Sequence, residues 1–394
     1  MIYLDNNATT QIAPEVFEAM QPYLTEVYGN PSSAHSLGQR TKAAVERARE
    51  QVAQLIGAAN ASEVVFTSCG SESDNWAIGG LLEKNPTRRH IITTRVEHEA
   101  VRNLCEHLSQ IGYEVTWLEV NESGELNLDE LRRALRPDTA IVSVMLANNE
   151  TGVLFPIDEI GKIIREQSEA VFHVDGVQAV GKIPIDLKNS PVDLFALSGH
   201  KLHAPQGIGA LYIREGVELP PFIIGGSQER GRRGGTSAVP NIVGLGAACE
   251  LSKQFTGHDE IERLRNKLED GLLTEIPNAR LNGAADRSKR LPNTANISFE
   301  YVEGENILVH LDREGIFVST GSACHSTTKQ SSPTLRAMNV PYTAAQGSIR
   351  FSLGRYNTEA EIVHTLEVLP GIIARLAEMS PYQKELKALH ASRA

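Results

Sequence analysis

Leu194-Phe195-Ala196-Leu197 runs directly into Ser198-Gly199-His200-Lys201, and the fold is decided by how this stretch is read. The four leading residues are uniformly apolar, as in a strand buried on both faces of a parallel sheet. A lysine that closes such a run must reach water or give up its proton, because burial penalises the charged amine. Either outcome suits a Schiff-base lysine, whose amine attacks in its neutral form. Taken alone, Lys201 reads more readily as a side chain whose stem packs and whose head reaches solvent. Its surroundings reverse that reading.

Upstream, Ala170-Val171-Phe172-His173-Val174 is a second strand-like run, ending in Asp175 and followed by Gln178. An aspartate at a strand end, facing a ring nitrogen, keeps a pyridinium protonated and makes pyridoxal phosphate an electron sink. Gln178 is placed to donate to the phenolic oxygen of such a ring. The alternative for Asp175 is a cap on the next turn. Asp-x-x-Gln followed by Ser-x-His-Lys is far more specific than either piece. A phosphate site is also legible. Glu63-Val64-Val65-Phe66-Thr67 reads as a strand leading through Ser68-Cys69-Gly70 into a helix, with Ser71 as its expected N-cap. The free N–H groups of that helix start favour an anion, and Gly70 lets the backbone approach closely. The glycine spacings of a Walker loop or a dinucleotide fingerprint are absent.

The chain has 394 residues, 41% hydrophobic and 22% charged, which predicts two domains with large cores. Its 38 basic and 49 acidic residues leave a net charge of −11, which argues against nucleic acid as a partner. No apolar run approaches a membrane span and no signal-peptide pattern opens the chain, so a cytoplasmic protein without a membrane partner is expected. Four cysteines without CxxC spacing fit a reducing compartment and weaken a zinc reading.

Strands are expected at 63–67, 90–94, 114–119, 140–146, 170–174, 193–197 and 208–213, alternating with helices. One of these helices, Thr41–Ile56, carries Val45, Ala48, Val52 and Leu55 at helical spacing. Such alternation predicts a mainly parallel sheet with helices on both faces, whose ligands gather at the carboxyl ends of the strands. There Gly70, Asp175 and Lys201 would lie. A helix over Asp259–Leu273 then leads into strands near 295–299, 316–319 and 347–352, read as a smaller α+β domain. Gly283 to Arg290 is expected as a surface loop. The expected division is 16–255 for the large domain, with 1–15 and 256–394 forming the small one and its N-terminal arm.

The stretch Ser319-Thr320-Gly321-Ser322-Ala323-Cys324-His325-Ser326 is small and polar, expected to form an exposed loop. A cysteine on such a loop is a liability unless its reactivity is used. His325 and Lys329 would favour its thiolate. Cys105 and Cys249 fall in helical patterns and read as core, and Cys69 as structural. Arg350 alternates with apolar neighbours, and clamping a carboxylate and forming a structural ion pair are equal readings of it.

Several further motifs occur in order: Tyr3-Leu-Asp-Asn-Asn-Ala-Thr-Thr10, Gly29-Asn-Pro-Ser-Ser33, Glu72-Ser-Asp-Asn75, Glu97-His98, Asn148-Asn-Glu-Thr-Gly152, Gln228-Glu-Arg-Gly231 and Gly321-Ser-Ala-Cys324. With Ser198-Gly-His-Lys201 they closely resemble the class I cysteine desulfurases of the NifS/IscS type, over almost the whole chain. Gln228 to Thr236 and Leu291 to Asn296 look closer to NifS. The resemblance implies an α/β, fold-type I (aspartate aminotransferase-like) pyridoxal phosphate enzyme working as a homodimer. It implies Lys201 as the covalent anchor of the cofactor, Asp175 at the ring nitrogen, Gln178 at the phenolic oxygen, and His98 stacked on the ring and moving protons. Gly70, Ser71, Ser198 and His200 would hold the phosphate, and Thr236 would reach the phosphate of the neighbouring subunit. Asn149 and Arg350 would bind the substrate carboxylate, Asn7 and Asn30 would line the entrance, and Cys324 would take the sulfur.

The implied reaction converts L-cysteine to L-alanine and passes persulfide sulfur to a U-type scaffold for iron–sulfur cluster assembly. Three positions depart from the family's usual pattern. Gly176 stands where alanine often lies under the ring, Gly70-Ser71 where alanine or glycine with threonine is usual, and His325 where threonine is common. The tail after Pro381 does not resemble the segment with which IscS engages its scaffold. An aminotransferase or selenocysteine lyase would keep Lys201 and Asp175 without needing Cys324. A non-catalytic sulfur carrier would tolerate loss of Lys201.

Overall fold

The computed structural model describes residues 1–320, 331–386 and 389. Seven strands form the central sheet in the order Val64–Thr67, Gly209–Ile213, Leu194–Ser198, Val171–Asp175, Thr139–Ser143, His90–Thr94 and Glu114–Leu118. Only Gly209–Ile213 runs against its neighbours within this sheet. Leu194–Ser198 is buried at every residue, which is why it reads as an unbroken apolar run. Each expected strand is present, with ends differing by up to a few residues.

Helices cover the sheet. Ser36–Leu55 buries Val45, Ala48 and Val52 against it, and Arg49 sits among them nearly enclosed. The Arg49 guanidinium lies 4.7 Å from the Phe66 ring centroid and pairs with Glu229 at 2.6 Å. Glu229 also accepts from the Phe66 N–H at 3.0 Å. The Gln-Glu-Arg-Gly segment is thereby tied to the outer strand of the sheet.

A second sheet is antiparallel throughout, in the order Ser319–Thr320, Ser348–Ser352, Thr294–Phe299 and Ala279–Asn282. The helices His258–Glu275 and Glu359–Met379 pack beside it. Two large hydrophobic clusters result. The second holds Leu4 and residues between 264 and 376. Leu335, Met338, Val340, Ala344 and Ala345 come from the same part of the sequence but join the first cluster.

The N-terminal arm crosses between the two clusters. Ile2–Tyr3 pairs with Ile316–Phe317, and the Asn6 N–H bonds to the Ser352 carbonyl at 3.0 Å. The Thr10 N–H then bonds to the His200 carbonyl at 2.9 Å.

Two local expectations change. The segment from Gly283 to Arg290 is not wholly a surface loop. Arg290 is buried and pairs with buried Glu269 at 2.7 and 2.9 Å, because a guanidinium enclosed there needs a carboxylate. The helix expected to be capped by Ser71 opens two residues earlier, spanning Gly70–Asn75, with Cys69 at the cap position. The Glu72 carboxylate reaches back to the Ser68 N–H at 2.8 Å and is held by Arg233, so the acid rather than the Ser71 hydroxyl sets the start. Cys105 and Cys249 are buried, as expected. Among the described residues no helix is long and apolar enough to cross a membrane, and no cluster of three metal-ligating side chains occurs.

Candidate active site

Strand register brings the reactive ends together. Asp175 lies across from Ala196, so the chain continues past it through Ser198 and the short turn Gly199–Lys201. Thr67 and Ser198 both face Gly209 on the strand between them, which sets Ser68-Cys69-Gly70 beside Ser198. The approach leaves no room for a side chain at 209. A Cβ there would lie 2.7 Å from the Leu197 carbonyl oxygen and 2.8 Å from the Cys69 carbonyl carbon.

A cavity of about 360 Å³ opens at these ends. Lys201, Asp175, Gln178 and His98 line it, as do Gly70, Ser71, Ser198 and His200. Asn7, Asn149 and Arg350 complete the set of sequence-named residues found there. Lys201 Nζ donates to the Asn7 and Ala8 carbonyl oxygens at 2.5 and 2.7 Å, so the N-terminal arm holds the amine. Asn7 lines the cavity, yet its side chain is engaged by the protein. Its Oδ1 accepts from Lys182 at 2.8 Å and Asn293 at 3.1 Å, and its Nδ2 donates to Thr294 Oγ1 at 2.9 Å.

Three carboxyl groups, Asp74, Glu97 and Asp175, line this cavity, and the sequence reading assigned a role to only one of them. Asp175, Asp74 and Glu97 are all buried, and burial raises the pKa of each. They cannot all ionise in so little space. Asp175 has the compensating partners: nearby His98 and Lys201, and the Val177 N–H at 2.9 Å. Asp74 has none of these, and the charges of Asp175 and Glu97 push it further up. Its Oδ1 stands 3.5 Å from His173 Nε2, a ring kept neutral by burial, with its pKa pushed down to about 3. Asp175 is therefore the member whose ionised form has the most compensation.

Glu97 accepts from Thr94 Oγ1 at 2.8 Å and from the Met145 N–H at 3.1 Å, but burial still lifts it to about 8. In the unfolded chain it ionises above its ordinary 4.5. Between those values folding takes up a proton, so the stability this group contributes falls as pH rises through the window. Glu97→Gln keeps the accepting oxygen and removes the titration. Urea unfolding midpoints of the variant should decline less from pH 5 to pH 8 than those of the native protein. Identical slopes would mean that Glu97 is already ionised in the fold.

His98 caps the helix Glu99–Gln110, and its Nδ1 accepts from the Ala100 N–H at 3.2 Å. The proton of the neutral ring therefore sits on Nε2. Burial lowers its pKa, with Asp175 opposing and Lys201 reinforcing the shift. The anion end of the cavity has its own signature. The Ser198 hydroxyl is buried and without a hydrogen-bond partner among the described residues. It lies beside the helix start at Gly70, whose first N–H groups have no partner within the helix. Cys69, read as structural, lines the cavity as well.

Arg350 makes the structural ion pair. Its Nη2 pairs with Asp5 at 2.8 Å and its Nη1 donates to the Asn149 carbonyl at 3.0 Å. Its Nε is buried without a partner among the described residues. Two named residues do not line the cavity. Asn30 is exposed, and its Oδ1 accepts from the Ser32 N–H at 2.9 Å within its own turn. Thr236 is exposed and lines a separate cavity with Ser68, Gln228 and Arg233. Cys324, His325 and Lys329 lie outside the described residues.

Gly176 is not the residue beneath the cavity. A Cβ on it would stand 1.8 Å from Phe195 Cζ, pointing into the core, whereas Val177 lines the cavity. The glycine is thus matched to Phe195 rather than to a ring. Gly176→Ala should destabilise the fold by about 1–3 kcal/mol through overpacking, measured as a lower urea midpoint. Gly176→Ala combined with Phe195→Leu should recover much of the loss. An unaffected single variant would contradict this packing.

A lysine, a buried aspartate and an unpaired serine hydroxyl at adjoining strand ends fit pyridoxal phosphate, and fold and donor set together define an α/β enzyme dependent on it. The chain belongs to the aminotransferase class-V family, matching it over residues 2–364. It is 56% identical to a cysteine desulfurase of Trichormus azollae, across 98% of this chain and 96% of that one. It is 51% identical to the cysteine desulfurase NifS of Azotobacter vinelandii, across 97% and 94%. Among solved structures, a NifS-like protein superposes with a TM-score of 0.89 at 40% identity, covering 95% of this chain and all of the other. SspA in complex with cysteine superposes at 0.81 with 35% identity, covering 91% and 100%.

Proposed function

We propose that this chain is a cysteine desulfurase, converting L-cysteine to L-alanine and transferring the sulfur to its own Cys324. The observation that carries the reading is the convergence of Lys201, Asp175, Ser198 and Arg350 on one cavity, in a chain more than half identical to proteins of that name. Bound pyridoxal phosphate supplies a ring that withdraws electrons from the substrate's α-carbon. Lys201 holds the cofactor covalently, and its amine, once displaced by substrate, takes the α-proton. Asp175 stabilises positive charge at the ring nitrogen, and Gln178 donates to the phenolic oxygen. Ser198, His200, Gly70 and Ser71 take the phosphate. Arg350 Nε and the Asn149 side chain receive the substrate carboxylate, and neutral His98 passes a proton through Nε2.

The Cys324 thiolate attacks the substrate sulfur. An S–S bond forms, and the C–S bond breaks with its electron pair left on the β-carbon, which takes up a proton. The α-carbon regains a proton in place of the one Lys201 removed, and alanine leaves. A thiol reductant then releases the outer sulfur as sulfide. We extend the reading to a homodimer in which Thr236 serves the neighbouring subunit and Asn30 borders its entrance. The division at 16–255, a cytoplasmic setting and delivery to a U-type iron–sulfur scaffold belong to the same proposal. The test is incubation of the purified holoenzyme with L-cysteine, measuring alanine and sulfide together with and without reductant. Alanine formation with reductant-dependent sulfide supports the reading. Pyruvate and ammonia in place of alanine would replace it with a lyase.

A further inference from the structure

Lys182 is a buried lysine that the mechanism above does not use. It follows Gln178 by one helical turn, in the coil after the strand Val171–Asp175. Its Nζ donates to Asn7 Oδ1 at 2.8 Å and to Gln178 Oε1 at 2.9 Å. On its other side Gln178 donates through Nε2 to the Asn7 carbonyl oxygen at 3.0 Å. That carbonyl also accepts from Lys201. The Gln178 amide is thus gripped at both ends. A flip would set its oxygen against a carbonyl oxygen and its NH₂ against an amine that is donating two bonds, losing both contacts. Nε2 has a second hydrogen, and Gln178 lines the main cavity while Lys182 does not. Lys182 lines a smaller cavity of about 50 Å³ that Lys201 also borders, large enough for a water.

We propose that Lys182 is a positioning residue that fixes the polarity of the Gln178 amide, so that Gln178 presents only a donor to the phenolic oxygen of the cofactor. The inference rests on the cofactor reading above. It explains an otherwise costly arrangement, because a second lysine beside the anchor lysine repels it. Burial lowers the pKa of Lys182, and the charges of Lys201 and Arg350 lower it further. His203, His258 and Arg355 line the same small cavity as Lys182. Among the described residues no carboxylate pairs with Lys182.

A fixed donor at the phenolic oxygen stabilises its anionic form. Without it that oxygen becomes more basic and holds the shared proton to higher pH. The experiment is a pH titration of the visible absorbance of the holoenzyme, without substrate, for the native protein, Lys182→Met, Lys182→Arg, Gln178→Leu and Lys182→Met/Gln178→Leu. We expect Lys182→Met to move the absorbance transition upward by about one pH unit, a tenfold change in the protonation equilibrium. Lys182→Arg should restore it, because a guanidinium supplies donors and has no acceptor. In the Gln178→Leu background Lys182→Met should add nothing. A shift that persists in that background would mean that Lys182 acts directly on Lys201 and would overturn the positioning role. Absence of a shift in folded Lys182→Met would overturn it too. If Lys182→Met does not fold, comparison of Gln178→Leu with Gln178→Glu decides: an added acceptor should raise the transition further than loss of the donor, and equal transitions refute a fixed donor. A native protein that takes up no pyridoxal phosphate and shows no visible absorbance would instead remove the underlying cofactor reading.

Discussion

Lys201→Ala should contain no borohydride-reducible bond to pyridoxal phosphate, and alanine formation from L-cysteine should fall by ~10⁴-fold or more. In the proposed mechanism the side chain has two tasks, holding the cofactor and moving the α-proton, and both vanish together. The only other lysine near the site, among the described residues, is Lys182, and its amine is engaged by Asn7 and Gln178. It cannot substitute without abandoning both contacts. The phosphate contacts proposed at Ser198 and Gly70 are untouched, so cofactor should still bind without a covalent link. Its retention after gel filtration, together with the loss of the reducible bond, checks the assignment. A surviving covalent bond in the variant would transfer the anchor to another lysine.

Cys324→Ala should separate the two halves of the reaction. In the proposed mechanism cofactor capture and α-proton removal depend on Lys201, Asp175 and Gln178, all lining the cavity at the strand ends. Sulfur abstraction depends on a thiolate from a different part of the sequence. The variant should remain yellow and change its spectrum on addition of L-cysteine, yet yield almost no alanine. In the native protein, mass spectrometry after L-cysteine should find one added sulfur on the Cys324 peptide, removable by reductant. Cys105 and Cys249 are buried, with thiol pKa values raised by burial, and should stay unmodified. Cys69 lines the cavity and is the informative control. Sulfur found on Cys69 rather than Cys324, or alanine formed by the variant at the native rate, would end the persulfide assignment.

The central sheet was legible because strands buried on both faces become continuous apolar runs, such as Leu194-Phe195-Ala196-Leu197, bounded by turns. The residues that end those runs were legible for a related reason. Polar or charged groups such as Asp175 and Lys201 stand out against an apolar background. The short strands Ile2–Tyr3 and Ala279–Asn282 were not found, since two to four residues carry too little alternation to register. Arg290 was read as exposed because its carboxylate, Glu269, lies in a helix 21 positions away.

The alternation of strands and helices, the polar residues at strand ends and a cysteine in a small polar stretch were thus determined by the sequence itself. Each depends on neighbours close in the chain, where periodicity and burial leave a local imprint. Tertiary structure alone decided the charge pattern of the site and which polar atoms remain unpaired. Asp74, Glu97 and Asp175 are spread over a hundred positions, and their competition for ionisation exists only once packing removes water from all three. The polarity of Gln178 likewise depends on Asn7, 171 positions away, and on the Lys182 amine that Asn7 helps to hold. Electrostatic and hydrogen-bond energies depend on distance in space and on local dielectric, and neither is written in the order of residues.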